Sequence, residues 1–465
     1  MLRSIWLFGL YIAFLVLGTQ APFVISLGYV WVDTFRPQNV AYIILNQFPV
    51  SAVMGAAAFL AYFVADRRSP PRPNMISIMQ VILPIWVTLT LIWAVSPAAA
   101  FEKWDWAFKT LVFAAFLPLV IRSSVQIEAF LQIFMLSLSA TLVPYGAKIA
   151  ISGGGYGRDL GIVAGNSGLS EGATLAAAAV MTIPILLYLR KHAQLVPKIP
   201  WFRQIYLGLA VLAVLTTIGS FQRTGLVGLV VLGVMMTVKS RHKVLSIVVS
   251  VAAAVAIAYF ASNQWAHRIS TITTYEEDNS AMTRILVWRW TFDYILSHPL
   301  GGGFDMYRIN AIYHGPSPRN PSGSVEYGRA FHSVYFEMLG EHGWIGLALL
   351  LGLIIASLLA LQGAARRAKR VPGMEWCVDL ASAVQISLII LAVCGAFIGI
   401  AFQPLLHYLF AVSVSVSQYV LRVVRSLPQE AQNAQRVPAT DGSWRQRAHA
   451  GGITIAGRGH SNRPL

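Results

Sequence analysis

FHSVYFEMLGEHGWIGLALLLGLIIASLLALQ, residues 331–362, changes character near its middle. The first part carries two histidines and two glutamates, whereas residues 343–362 carry no charged side chain. An α-helix needs a run of about 20 apolar residues to cross the hydrocarbon of a bilayer. The stretch therefore predicts a transmembrane helix that is entered from a polar segment holding titratable groups.

The composition extends this prediction to the whole chain. Of its 465 residues 56% are apolar and 12% are charged, and the mean hydropathy is +0.62. These values lie outside the range of soluble globular domains, so we expect an all-α integral membrane protein. The runs near spanning length number twelve, at about residues 4–31, 43–65, 75–97, 107–121, 126–147, 171–189, 204–219, 224–238, 244–262, 343–362, 377–399 and 402–421. The first run is broken around Thr19–Pro22 and is either one span or two.

The excess of basic over acidic residues is explained by the predicted membrane topology. The chain has 35 Lys and Arg residues against 19 Asp and Glu residues, a net charge of +16. With the N-terminus inside, 23 of these cations fall on inside segments, as the positive-inside rule requires. The charge therefore indicates orientation in a membrane and not a nucleic-acid partner. We expect a multi-pass protein with both termini in the cytoplasm.

The apolar runs divide the chain into four regions. Residues 1–262 hold nine predicted spans, and residues 343–422 hold three more. Between them, residues 263–342 form the one large external loop. The polar residues 423–465 form a tail that we expect to be disordered in the cytoplasm.

The external loop contains a predicted amphipathic helix, AMTRILVWRWTFDYIL, residues 281–296. Its apolar residues recur at helical spacing, at Ile285, Trp288, Phe292 and Ile295. We expect this helix to lie on or over the membrane domain. It should end at His298-Pro299, with Gly301–Gly303 forming the turn that follows.

Three side chains on the predicted external side could carry chemistry. Arg223 lies in the short turn GSFQRTG, where it is either a snorkelling cation or a ligand for an anion. Arg284 lies one turn into the amphipathic helix and has no acid four residues on. His332 precedes the tenth span and shares a predicted helical face with Tyr335 and Phe336.

The other titratable groups near His332 suggest a competing interpretation. Glu337 and Glu341 share a face with each other but lie away from His332, so neither is an obvious partner for it. A metal site is the alternative, since four histidines lie in this region, at 298, 314, 332 and 342. No pair has the short spacing of common metal motifs, so we expect no metal and no other cofactor.

Two arginines and a histidine on one side of a membrane suit a substrate with a diphosphate. The planar guanidinium of arginine binds phosphate through two hydrogen bonds at any relevant pH. Histidine, with an unperturbed pKa of about 6.5, can take a proton from a hydroxyl.

The motifs together resemble those of a known family. They are Arg223 in a short external turn, R-x-x-x-W at Arg284 and Trp288 followed by HPLGGG, and H-S-x-Y-x-E-x-x-x-E-x-G-x-x-G from His332 to Gly346. This combination resembles the O-antigen ligase superfamily of bacterial inner-membrane proteins, which also contains O-antigen polymerases. PFVISLGYVWVDTFRPQNVAY and GGGYGR look like the branch called putative O-glycosylation ligases, found beside exosortase systems.

The resemblance implies a GT-C-like fold and a metal-independent glycosyltransferase. Its donor would be a glycan on undecaprenyl diphosphate at the periplasmic face, with membrane lipid around it. Arg223 and Arg284 would hold the diphosphate, and His332 would act as base on the acceptor hydroxyl, with inversion at the anomeric carbon. The acceptor would be lipid A core, a protein or a polysaccharide.

Two positions depart from the family's pattern and concern the acceptor side. SGLSEGATLA, residues 167–176, stands where that branch is expected to carry asparagine, and Ser333 follows the histidine where asparagine is common. The second-rank candidates for acceptor binding or for lining the cleft are Arg158, Glu171, Trp288, Glu337 and Glu341.

Two other functions stay open. A polymerase, whose acceptor is another lipid-linked repeat unit, would use every one of these residues. A transporter of the lipid-linked glycan would instead need polar groups near the bilayer midplane, and most predicted spans lack charge.

Overall fold

The computed structural model describes residues 2–41, 44–152, 169, 171–197, 199–240, 243, 279–314 and 323–427. The chain divides into two units, Met1–Leu421 and Arg422–Leu465. The first unit holds the helical bundle. Of the second, residues 422–427 are described. Residues 423–426 continue the final helix, so the predicted start of the tail at residue 423 is wrong, and residues 428–465 lie outside the described residues.

Fourteen α-helices occur in the described residues, and most coincide with the predicted apolar runs. They are α1 Leu2–Gln20, α2 Pro22–Phe35, α3 Pro37–Val40, α4 Val50–Ala65, α5 Met75–Leu89, α6 Pro97–Val120, α7 Ser124–Ser152, α8 Gly172–His192, α9 Pro200–Gly219, α10 Arg223–Lys239, α11 Asn279–Ser297, α12 Val334–Ala368, α13 Glu375–Cys394 and α14 Pro404–Ser426. Short 3-10 helices extend α5 over Thr90–Trp93 and α13 over Gly395–Phe397.

Eight of the described helices are long and apolar enough to cross a membrane. They are α1, α5, α7, α8, α9, α12, α13 and α14, while α2 and α4 are apolar but shorter. The molecule is therefore a largely helical, multi-pass membrane protein. The predicted span 244–262 lies outside the described residues, so the count of twelve spans stays a prediction.

The first apolar run forms two helices. Ala21 is extended, with φ −140°, and Pro22 begins α2, which then packs back against α1. Proline is tolerated in the first turn of a helix but interrupts its interior. The run predicted over residues 4–31 is thus two elements and not one continuous helix.

The loop region adds one small hairpin to the predicted all-α fold. Two short strands, β1 Ala311–His314 and β2 Ser324–Tyr327, pair antiparallel with Ala311 opposite Tyr327. Their short runs fell within the predicted polar loop, where no helical period marked them.

The helices differ in how deeply they are enclosed. The spanning window of α8 is 89% buried inside the protein, whereas that of α1 is 22% buried. The small side chains of Ala176–Ala179 allow neighbouring helices to approach α8 closely. Helix α8 is therefore central, and its N-terminal end is held in place on several sides.

Helix α11 confirms the predicted amphipathic helix, but a different stripe of it faces inward. Ile295 is fully buried as predicted, together with Val287 and Thr291, whereas Ile285 and Phe292 of the predicted apolar face are about half exposed. Val287 packs with Met306, Ile312 and Phe331 in a small core of the loop region. The helix itself was predicted correctly, but the sequence does not show which of its faces meets a partner surface. As expected, the helix ends before Pro299.

Helix α12 is broken at Gly343, which has φ 67° and ψ −165°. The turn after α11 packs onto this break. Its backbone N–H groups donate to helix carbonyls at 2.9 Å, from Gly302 to Gly340 and from Gly303 to Glu341. The carbonyl of His342 accepts from Trp86 Nε1, also at 2.9 Å. In an unbroken helix these carbonyls would accept from residues 344–346. The apolar span begins where the break lies, and a separate polar segment, residues 334–342, precedes it.

Candidate functional site

His332 lies just outside helix α12. The helix begins at Val334 with Ser333 as its N-cap, and His332 has a left-handed backbone with φ 46°. The predicted helical face shared with Tyr335 and Phe336 is therefore wrong, because a residue with left-handed φ does not continue the helical geometry. The side chain of His332 is 43% exposed.

The backbone before His332 is held by Trp288. The indole Nε1 of Trp288 donates to the carbonyl of Phe331 at 2.8 Å, and its ring stacks on Phe336 with centroids 5.1 Å apart. Phe331 itself is buried in the small core beside α11. Trp288, a predicted acceptor or cleft residue, thus has its polar atom engaged within the protein.

The side chain of His332 faces Glu171. Its Nδ1 lies 3.4 Å from Oε1 of Glu171, whose side chain is 42% exposed. The other carboxylate oxygen, Oε2, accepts a hydrogen bond from Thr174 Oγ1 at 3.2 Å. Glu171 directly precedes helix α8, so the central helix of the bundle carries this carboxylate to the histidine.

The electrostatics connect Arg284 to the same group. The interaction with the imidazole of His332 lowers the pKa of Glu171 and outweighs the opposing effect of burial. The positive charge of Arg284, on α11, lowers that pKa further. We call Glu171, Arg284 and His332 the open cluster; it combines three residues that are far apart in the sequence.

The turn that carries Arg223 packs beside this cluster. Arg223 is the first residue of α10, and Gln222 lies so close to Gly172 that an added Cβ there would be 3.0 Å from its Nε2. The carbonyl of Thr224 accepts a hydrogen bond from Cys394 Sγ at 3.5 Å. The ends of α8, α10 and α13 therefore meet around the open cluster. Arg158, a predicted second-rank site residue, lies outside the described residues.

The two predicted glutamates belong to a separate, buried group. The ammonium of Lys103, on α6, lies 2.8 Å from Oε1 of Glu337, 2.8 Å from Oε1 of Glu341 and 3.6 Å from Oδ1 of Asp305. Glu337 also accepts from the backbone N–H of Ala401 at 3.1 Å, and Glu341 accepts from that of Asp305 at 2.9 Å. We call these four side chains the buried cluster.

The buried cluster is closed off by aromatic rings and by His342. Lys103 lies near the rings of Phe304 and Phe402, and the imidazole of His342 packs edge-on against both. Nδ1 of His342 is 2.9 Å from Thr90 Oγ1, and Glu341 and His342 have no exposed surface. A substrate has no access to these groups without opening the fold.

The metal alternative finds no geometric support in the described part of the chain. There, no group of three or more His, Cys, Asp or Glu side chains comes together so as to hold a metal ion. The three carboxylates that do converge surround the ammonium of Lys103. His332 and His342 face different partners.

Lys103, Asp305 and Thr174 were not predicted as members of either cluster. Lys103 is 234 residues from Glu337 in the sequence, and FEKWDW around it shows only charged residues at the start of an apolar run. The one available signal was that Glu337 and Glu341 share a helical face. Two carboxylates that are buried on one face need a cation between them.

Comparison with known protein families gives two matches, one that ends just after α8 and one that begins within α9. Residues 208–351 match a family described as O-antigen ligase. Residues 2–194 match a family of unknown function (DUF5935). A search of curated proteins finds no match. Both clusters combine the two regions: Glu171 and Lys103 come from the first, and their partners come from the second.

Proposed function

We propose, from the match of residues 208–351 to the O-antigen ligase family, that the chain is a periplasmic-face glycosyltransferase of the bacterial inner membrane. The family implies a glycosyl-transfer function in the membrane. In this proposal the donor is a glycan on undecaprenyl diphosphate. The acceptor is a hydroxyl of lipid A core, a protein or a polysaccharide. Both chain termini face the cytoplasm.

The open cluster is the observation that carries the proposal. It offers an accessible imidazole, a carboxylate and a guanidinium at one place, next to the turn that holds Arg223. An imidazole can accept a proton near neutral pH, and such a base is worth about 10²–10⁴ in rate. The side chains of the buried cluster are at most 14% exposed and pair with one another, so this cluster is a poorer candidate for the role.

The reaction that follows from these groups is a single displacement. His332 takes the proton of the acceptor hydroxyl while the acceptor oxygen attacks the anomeric carbon of the donor. The bond from that carbon to the diphosphate oxygen breaks, and its electron pair leaves with the diphosphate. Attack opposite the leaving group inverts the anomeric centre.

Arg223 and Arg284 serve the leaving group in this proposal. A diphosphate gains charge as the glycosidic bond breaks, and fixed guanidinium groups stabilise such developing charge. The planar fork of arginine also orients two phosphate oxygens at once. The location of both residues beside the open cluster supports this assignment.

A polymerase would use the same cluster with a different acceptor. The two functions therefore differ in the product and not in the site. In a strain that lacks the protein, missing attachment with free polymer favours a ligase. Single repeat units attached to the acceptor favour a polymerase.

The proposal is tested by purified protein in lipid nanodiscs, given a defined undecaprenyl-diphosphate glycan and several acceptors. We expect product from the native chain and a loss of about 10²–10⁴ in rate for His332→Ala. Arg284→Lys keeps the charge but loses the fork, so it should weaken donor use. Product at the native rate from His332→Ala would overturn the assignment of the base.

Arg289→Ala is the matched control for Arg284. Arg289 lies on the same helix, is exposed and can pair with Asp293 four residues on. We expect its removal to leave transfer unchanged.

Movement of the lipid-linked glycan across a bilayer without any transferred product would instead favour a transporter.

A further inference from the structure

We propose that Glu171 is a positioning residue for the base: its carboxylate holds the Nδ1 proton of His332 and leaves Nε2 as the nitrogen that takes the acceptor's proton. The inference rests on the proposed function, because it concerns the residue assigned there as base. It assigns a role to a residue within residues 2–194, which match a family of unknown function.

The Glu171 side chain is not used to cap its helix. Glu171 occupies the N-cap position of α8, where a side chain ordinarily accepts from the first backbone N–H groups. No such hydrogen bond forms from the side chain of Glu171. The carboxylate instead accepts from Thr174 through one oxygen and faces His332 with the other. A capping role therefore does not explain this carboxylate.

Hydrogen bonds hold both the carboxylate and the backbone of Glu171. Thr174, one turn along α8, holds Oε2 at 3.2 Å, and the backbone carbonyl of Glu171 accepts from Leu175 at 2.9 Å. Gly172 allows the side chain of Gln222 to lie close against this end of α8. The remaining oxygen, Oε1, is thus presented toward His332 by the most enclosed helix of the bundle.

The His332 backbone is fixed too, but its ring is not. Trp288 holds the carbonyl before it, and the carbonyl of Ser333 after it accepts from Glu337 N at 2.8 Å. These contacts leave the two side-chain torsions of His332 free. Among the residues described, Glu171 is the side chain paired with a nitrogen of that ring, so it is the group able to select the orientation of the ring.

The chemistry of a carboxylate then determines which nitrogen is basic. An ionised carboxylate only accepts hydrogen bonds, so the nitrogen that faces it must carry the proton. Neutral imidazole has one N–H, which leaves the lone pair on Nε2. When Nε2 takes the proton of the acceptor hydroxyl, the Nδ1 proton stays in place and the carboxylate stabilises the resulting imidazolium. Glu171 itself gains no proton.

Two variants separate this role from a structural one. In Glu171→Ala, His332 is free to adopt either tautomer, and we expect the turnover rate to fall about 10- to 100-fold with KM for the donor unchanged. In Glu171→Gln, the shape is kept but the amide can donate to Nδ1, which favours the tautomer with no lone pair on Nε2. We therefore expect Glu171→Gln to be no more active than Glu171→Ala.

The experiment uses the full chain in nanodiscs, with melting temperature as a check on folding. Glu375→Gln is the matched control, since Glu375 is an exposed glutamate at the start of α13, and it should transfer at the native rate. Thr174→Val provides a second variant, because it frees Oε2 of Glu171 without removing the carboxylate, and should lower turnover a few-fold.

The outcomes distinguish this inference from the proposed function. If His332→Ala abolishes transfer and Glu171→Gln restores most of the activity lost in Glu171→Ala, then the carboxylate only fills space and the positioning role is overturned. If His332→Ala transfers normally, the proposed base itself is wrong. Low activity in both Glu171 variants, with melting temperatures near that of the native chain, supports the inference.

Discussion

A histidine lies close to a glutamate at each end of residues 331–343, but the surroundings of the two pairs are opposite. At the first end, His332 and Glu171 are each about two-fifths exposed and meet at 3.4 Å. At the other end, Glu341 and His342 have no exposed surface, and Lys103 and aromatic rings enclose them. A histidine lies beside a carboxylate at both ends, although Glu171 comes from the start of α8, and only the first pair is open to solvent.

The difference teaches that packing neighbours, and not residue types, decide which group is available for chemistry. The loop that docks at Gly343 and helix α6 cover the buried cluster, while the open cluster lies where the ends of α8, α10 and α13 meet. We therefore expect changes in the buried cluster to affect stability and changes around the open cluster to affect transfer.

Lys103→Met should cause the largest loss of stability. It leaves two buried carboxylates without their cation, which costs about 3–5 kcal/mol when one partner of a buried pair is removed. Lys109→Met is the matched control on the same helix, because the Lys109–Asp105 pair is exposed and contributes under about 1 kcal/mol. Thermal and denaturant unfolding in detergent would measure both. Equal stability of the two variants would contradict the structural role of the buried cluster.

Gly343→Ala should destabilise the protein by roughly 2–4 kcal/mol. Its backbone conformation is one that only glycine adopts readily, and a Cβ there would overlap the carbonyl oxygen of Pro299. Gly208→Ala is the control, since a Cβ on that helical glycine meets open space. Comparison of the two melting temperatures tests whether the break in α12 is required. A native-like Gly343→Ala would show that the helix can straighten without loss.

Trp288→Phe should affect transfer more than stability. It removes the donor to the carbonyl of Phe331 but keeps an aromatic ring against Phe336, at a local cost of about 1 kcal/mol. Because the backbone next to His332 loosens, we expect transfer to fall about fivefold. Trp201→Phe, at an exposed position on α9, should transfer normally. A Trp288→Phe variant that loses stability but not activity would contradict the expectation that changes around the open cluster act mainly on transfer.

The smallest expected effect is the change in stability with pH that comes from the Glu171–His332 pair. The pKa of Glu171 is lowered from its ordinary value of 4.5, chiefly by its interaction with His332. A carboxyl with a lowered pKa contributes stability that is present above the unfolded value and lost as pH falls through the folded one. Since both side chains are partly exposed, the coupling should be under about 1 kcal/mol. A double-mutant cycle of Glu171→Gln and His332→Ala should show the coupling at pH 6, and a coupling that does not weaken once acid protonates Glu171 in the folded protein would contradict this interpretation.

Much of the fold could be predicted because apolar length acts locally. The helices at 75–89, 172–192 and 375–394 coincide with predicted runs, and α11 begins and ends close to the predicted bounds. The hairpin of β1 and β2 could not be predicted, because strands of four residues leave no clear period in a polar loop. The inward face of α11 also depended on a partner surface that the sequence does not name.

The candidate site was predicted in part. Arg223, Arg284, His332 and Glu171 were singled out from their positions, and the structure brings Glu171, Arg284 and His332 together. Glu337 and Glu341 looked like cleft residues because helical geometry places them on one face. That face turned out to meet Lys103, a residue no motif had marked.

The sequence alone predicts a helical membrane protein, and its residues 208–351 match the O-antigen ligase family. The length of an apolar run and the spacing of a motif are properties of adjacent residues, so they can be identified without coordinates. Only the tertiary structure decided that His332 faces Glu171 and that Glu341 faces Lys103. Those pairings join helices distant in the chain, and burial and electrostatic partnership depend on distances through space, which sequence order does not contain.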